Sequence, residues 1–92
     1  MPGLAVVDLG AQLRRRLRVP PEVHGVVVTD VAPQGAADRL GLKPGDVLME
    51  LDRHPVTSPD ELRRQASAAA ERPRLVALIY REGSTVYLAT HE

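Results

Sequence analysis

Cysteine, phenylalanine and tryptophan are absent from these 92 residues, and aromatic side chains make up only 2% of them. Without cysteine there is no disulfide framework, no thiolate metal site and no thiol nucleophile, and the redox compartment is left open. Without large aromatics, a core must be filled by Val, Leu, Ile and Ala, so it should be aliphatic and rich in strands. No apolar run approaches the roughly 20 residues that span a bilayer, and the N-terminus lacks a basic segment followed by an apolar one. An excess of charge is missing too. Twelve basic residues balance twelve acidic ones, so no global field draws the chain toward nucleic acid or an anionic membrane, and partners must be selected by local surface. The length and the 43% hydrophobic content suit one compact core and not two.

What is present has a clear order. Leu4 to Leu9 is an apolar, partly β-branched run stopped by Gly10, and it reads as a short buried strand. In Ala11 to Arg18 the period changes. Leu13 and Leu17 share one helical face while Arg14, Arg15, Arg16 and Arg18 cover the rest, and Pro20-Pro21 ends the helix. Val26 to Val31 is the most β-prone run and reads as a central strand. Gln34 to Leu40 predicts a short helix with Gly41 as its C-terminal cap. Pro44 and Gly45 suit the second and third positions of a type II turn, since proline presets φ and glycine accepts a positive value. From Asp46 to Asp52, Val47, Met49 and Leu51 alternate with Leu48, Glu50 and Asp52, which predicts a strand with one apolar and one mixed face. His54-Pro55-Val56 is a short extended piece. Ser58 and Glu61 match a capping box for a helix through Leu62, Ala66, Ala69 and Ala70 that Arg72-Pro73 ends. Leu75 to Tyr80 and Thr85 to Thr90 form a hairpin joined through Arg81 to Ser84. This mixed order predicts a small α+β domain.

Within that order, Gly41-Leu42-Lys43-Pro44-Gly45-Asp46-Val47-Leu48 followed by His54-Pro55-Val56 resembles the bacterial PDZ pattern, in which a Gly-Leu-x-x-Gly-Asp turn leads into a core strand. Gly25-Val26-Val27-Val28, Asp60-Glu61-Leu62 and Arg81-Glu82-Gly83 fall where that family has them. The run Gly3 to Leu9, then Leu13 to Leu17, then Val19-Pro20 resembles the start of PDZ domains in HtrA/Deg serine proteases, and with the sequence ending almost immediately after Thr85 to Thr90 the resemblance is to their C-terminal (second) PDZ. Two departures lie in turns. Gln34-Gly35-Ala36-Ala37 stands where the family often has Gly-Ser-Pro-Ala, and Asp52-Arg53-His54-Pro55-Val56 where it often has Asn-Gly-x-Pro-Val.

The resemblance implies a single PDZ domain over residues 1–92. Its fold would be a partly open β-barrel or sandwich of five to six strands capped by two main helices, in the circularly permuted order of bacterial members. It also implies a non-catalytic, peptide-binding module of an HtrA-like periplasmic or envelope serine protease, serving substrate recruitment or protease regulation in protein quality control. Peptide would join the sheet by β-strand addition. The loop Met1-Pro2-Gly3-Leu4 would hold a terminal carboxylate on backbone N–H groups, Ala5, Val6 and Val7 would offer the pairing edge, and Leu62, Arg63 and Ala66 would wall the pocket. Affinity of this kind is on the order of micromolar, about −8 kcal/mol. No cofactor or metal is implied. The expected partners are C-terminal or unfolded peptide segments and other domains of the parent protease, with no nucleic acid and no membrane insertion.

Other readings of the same residues are weaker. Ser58, Ser67 and Ser84 coexist with His24, His54 and His91, but neither a Gly-x-Ser-x-Gly elbow nor Gly-Asn-Ser-Gly-Gly occurs, and Ser58 and Ser84 have cap and turn roles. The arginines of residues 14–18 have no interleaved aromatics and read as a solvated helix face. The histidines lack metal-ligand spacing, and Gly41 to Gly45 is too short and lacks the Lys-Ser/Thr of a phosphate loop. The stronger rivals are a PDZ-like domain whose groove is unused and which serves oligomer assembly of its parent, and the PDZ of another bacterial protease class.

Overall fold

A computed structural model describes residues 3–69 and 74–90. Its elements are β1 (Leu4–Asp8), α1 (Ala11–Leu17), β2 (Val26–Val31), α2 (Ala36–Leu40), β3 (Val47–Leu51), β4 (His54–Pro55), α3 (Pro59–Ala69), β5 (Val76–Arg81) and β6 (Ser84–Ala89). The six strands form one open antiparallel sheet in the order β1-β2-β3-β5-β6, with β4 attached to β3. This is the expected α+β architecture, and β1 and β6 are the borders of its main path.

The aliphatic core divides between the two faces of the sheet, as alternating strand residues require. On one face Val26, Val28, Leu48, Leu51 and Ile79 pack with Leu42, Val56 and the α3 residues Leu62 and Ala66. On the other, Val47 packs with Val19 and Val23, and Leu17 and Tyr80 close over them. The simple alternation expected for β3 does not hold. Its register with β5 shifts between Leu48 and Glu50, and the bulge turns Leu51 to the same face as Leu48. Met49 is consequently only half-buried.

Two other boundaries move for local reasons. Helix α2 starts at Ala36, two residues later than its pattern suggests, because Gln34 takes a left-handed conformation with φ of 65° while its N–H donates to Asp38 Oδ2 at 2.8 Å. The β5–β6 connection tightens to Glu82-Gly83, both at positive φ, with Arg81 paired to Ser84, the geometry of a type I′ hairpin turn. The Arg72-Pro73 stop lies outside the described residues.

The expected capping box forms one residue out of place. Ser58 Oγ accepts from Glu61 N–H at 3.1 Å, but the Glu61 carboxylate reaches back past the cap to Thr57, accepting from its N–H at 2.8 Å and its hydroxyl at 2.9 Å. These bonds, the backbone one first, hold the Glu61 carboxyl below its ordinary value of 4.5, with Arg64 assisting. A carboxyl depressed in the folded state stabilises the fold above its unfolded value and loses that contribution as pH falls through the folded value. Acid titration of the unfolding midpoint should therefore show a decline below pH 4.5 that becomes shallower in Glu61→Gln.

Asp46 is the one buried charged residue among those described, at 2% exposure. Its carboxylate takes both prongs of the Arg81 guanidinium, Nε at 2.8 Å and Nη2 at 2.7 Å, and also accepts from Lys43 N–H at 2.9 Å. Arg81 Nη2 donates in addition to Gly41 O at 2.8 Å. The bond to Asp46 raises the guanidinium pKa further. The acid of the Gly-Asp turn thus closes its own loop and fastens the end of β5 to it.

Candidate functional site

The functional question turns on the β1 border. Within the strand pairings, β1 touches β2 and no other strand. Which of its backbone groups are free follows from two sets of bonds. Gly3 O accepts from Ala32 N–H at 2.7 Å, so Gly3 points its polar groups at the β2 side. Val28, opposite Val6, has its N–H given to Asp46 O at 2.9 Å and its carbonyl taken by Gly45 N–H at 2.8 Å, both on the far side. Val28 therefore has no main-chain group to offer Val6. Because successive residues of a strand direct their N–H and C=O to alternate sides, Leu4 and Val6 aim theirs away from the sheet. Among the described residues that row has no main-chain partner.

The side chains of β1 separate the other way. Leu4 and Val6 are half-buried and pack on the core that lies beneath α3, whereas Ala5 and Val7 are exposed on the opposite face. Helix α3 packs against both β1 and β3. Leu62 and Ala66, each 5% exposed, are turned into the core, so they form the base between helix and border and not a raised wall. Arg63 is exposed and ion-paired to Asp60. Gln65 Nε2 donates to Pro55 O at 2.7 Å and holds one flank of α3 to β4. Arg63, two residues earlier and so about 200° around the helix axis, is on the flank turned away from β4. Gly3 has φ of 82°, the left-handed value that a residue without Cβ adopts at little cost. Pro2 lies outside the described residues. The structure thus brings Gly3 to Val7, Leu62 and Ala66 to one border region.

One contributor went unseen in the sequence. The register between β1 and β2 shifts between Ala5 and Val6, which leaves Thr29 as the extra residue in β2. Its hydroxyl donates to Ala5 O at 3.2 Å and supports the border strand from behind. A single threonine inside a β-prone run carries no sequence signal for this.

A family model described as PDZ domain matches residues 7–91. The chain belongs to the PDZ domain family. This PDZ domain is 33% identical over 66 residues, 72% of the chain, to a protein of Halomonas elongata named as a DegP-like periplasmic serine endoprotease. It is 40% identical over 62 residues, 67% of the chain, to a protein of Rhizobium meliloti named as a zinc metalloprotease. Among solved structures, it superposes with a TM-score of 0.75 and 31% identity on the HtrA-type protease AlgW with decapeptide, covering 97% of the PDZ chain and 27% of AlgW. The chain spans 14% and 16% of the length of those two curated relatives. PDZ domains are binding modules, and the relatives' catalytic activity is not a property of the PDZ itself.

Proposed function

We propose that this PDZ domain captures extended peptide segments, chain ends included, by adding them as a strand along Leu4 and Val6 beside α3, as a recruitment or regulatory module of an HtrA/DegP-like periplasmic serine protease. The observation that carries the reading is the outward row of unpaired main-chain groups, with α3 alongside and an apolar base beneath it. Main-chain pairing supplies affinity without regard to sequence, and the apolar base selects side chains. The similarity to AlgW with decapeptide and to a DegP-like periplasmic protein supports the same reading.

Titrating the labelled domain with an apolar peptide that ends in a free carboxylate should shift the amides of Gly3 to Val7, and amidating that peptide should remove most of the effect. Val6→Pro gives a sharper test. Its N–H faces outward, so proline there leaves the β1–β2 ladder intact, in the kind of edge position where proline is tolerated, yet takes one donor from the template. Peptide affinity should fall by about tenfold or more, the scale of one lost hydrogen bond with its alignment, while the unfolding transition stays cooperative. Silence of Gly3 to Val7 at saturating peptide would instead favour a role in assembly of the parent protein.

A further inference from the structure

A second recess lies on the other face of the sheet from the β1 border. It encloses about 360 Å³ between the end of α1, the Lys43–Asp46 turn and the end of β5. Its apolar part is formed by Leu17, Val19, Val47 and Tyr80, members of the smaller cluster and not of the core beneath α3. The Tyr80 hydroxyl donates to Arg18 O at 3.4 Å, which places Arg18 beside the recess.

The charges around it are unevenly used. Helix α1 has no acidic residue in its first turn and carries Arg14, Arg15 and Arg16 in its last. Part of this suits the negative end of the helix dipole, and Arg14 is occupied, donating to Pro20 O at 3.2 Å and contacting His24 Nδ1 at 3.3 Å. Among the described residues, however, the side chains of Arg15, Arg16, Arg18 and Lys43 have no hydrogen bond or ion pair. Two acids line the recess. Asp46 is consumed by Arg81, and Glu82, which acts on Arg81 through its charge, is the other carboxylate against Arg16 and Lys43 on the rim. In a chain of zero formal net charge, this is a local cationic margin around an apolar floor.

We infer that this recess is a second docking site, separate from the β1 border, and that it takes a protein segment combining acidic and aliphatic side chains. Carboxylates meet Arg16 and Lys43 on the rim, with Arg15 and Arg18 adding to the field, while an aliphatic side chain covers Leu17, Val47 and the Tyr80 ring. The apolar floor argues for a protein segment over a nucleic acid, whose backbone presents charge without aliphatic groups, and Glu82 opposes a uniformly anionic ligand. Because the two sites use opposite faces of the sheet, both can be filled at once.

The test is an amide-resolved titration of the whole labelled domain with a short acetylated, C-terminally amidated peptide of alternating glutamate and leucine. Amidation removes the carboxylate that the β1 border would hold. Shifts are expected at Leu17, Lys43, Gly45 and Tyr80, saturating independently of any shift at Gly3 to Val7, and binding should weaken as salt screens the rim. The double variant Arg16→Glu/Lys43→Glu changes two exposed side chains, and its amide spectrum reports whether the fold is kept. In the folded variant, affinity should drop by about tenfold or more, as for reversed rim charges. The inference is overturned if millimolar peptide leaves the recess amides unmoved, or if the double variant binds equally well. It is also overturned if an oligo-aspartate peptide, a short RNA or anionic vesicles bind as tightly as the mixed peptide, since the attraction would then be charge alone.

Discussion

Gly25→Ala should lower the unfolding free energy by about 3 kcal/mol, the upper range for forcing extra volume into a packed site. A Cβ at Gly25 would come within 2.2 Å of Leu48 O, 2.9 Å of Leu48 C and 3.1 Å of Met49 Cα. All three are backbone atoms of β3, so no side chain can swing aside. Relief requires β2 and β3 to part at the place where Val26 pairs with Leu48, two of the most deeply buried residues. In a small domain whose whole stability is of the order of 5–15 kcal/mol, a loss of this size is easily read as a fall in the urea midpoint. Gly10→Ala is the control. Nothing lies within 4 Å of a Cβ there and its φ of −86° suits any residue, so only its place as the N-cap of α1, which has no side-chain cap bond, is altered, and the effect should stay within about 1 kcal/mol. Equal effects from the two substitutions would show that the close approach is not what selects glycine at position 25.

Asp46→Ala should cost nearly as much, by a different route. Removing one partner of a buried pair leaves the other charge uncompensated, at about 3–5 kcal/mol. Arg81 retains 28% side-chain exposure, so water recovers part of that, and about 2–4 kcal/mol is the expected loss. The Lys43 N–H loses its acceptor in the same step. A double-mutant cycle separates the two contributions. Arg81→Met in the Asp46→Ala background should cost far less than Arg81→Met alone, because the charge it removes is already unpaired. Additive losses would mean that the two residues act independently and that the clamp is not what holds β5 to the turn.

Much of this fold could be read locally. Val26 to Val31 is a strand because β-branched residues run between a glycine and a proline; α2 ends at Gly41 because that residue takes φ of 102° and caps Ala37 O and Asp38 O; Pro44-Gly45 makes the turn its residues require. Each of these depends on a few consecutive residues. What escaped the sequence depends on pairs far apart in it. The bulge in β3 is defined against β5, the Thr29 bulge against β1, and the Asp46–Arg81 clamp joins residues 35 positions apart. Asp46 was visible as part of a turn motif, but the reason the motif carries an acid became clear only with Arg81 beside it. The border was legible in the same partial way: Leu4 to Leu9 reads as a buried strand, whereas β1 is Leu4–Asp8 with no buried residue, and the outward direction of Leu4 and Val6 needed the partners of Val28. Leu62 and Ala66 fit the helix period, yet nothing in that period distinguishes the base of a groove from its wall.

The extra residue at Thr29 belongs to β2, and β1 itself keeps strict alternation. A strand laid along β1 therefore meets usable groups only at every second residue, about 6.8 Å apart at the usual rise. It can slide along the border in steps of two residues but not of one, since a single step would present the wrong side of its backbone and reverse all its side chains. Under the proposed strand addition, parity, more than length, then becomes the quantity that matters in an incoming chain.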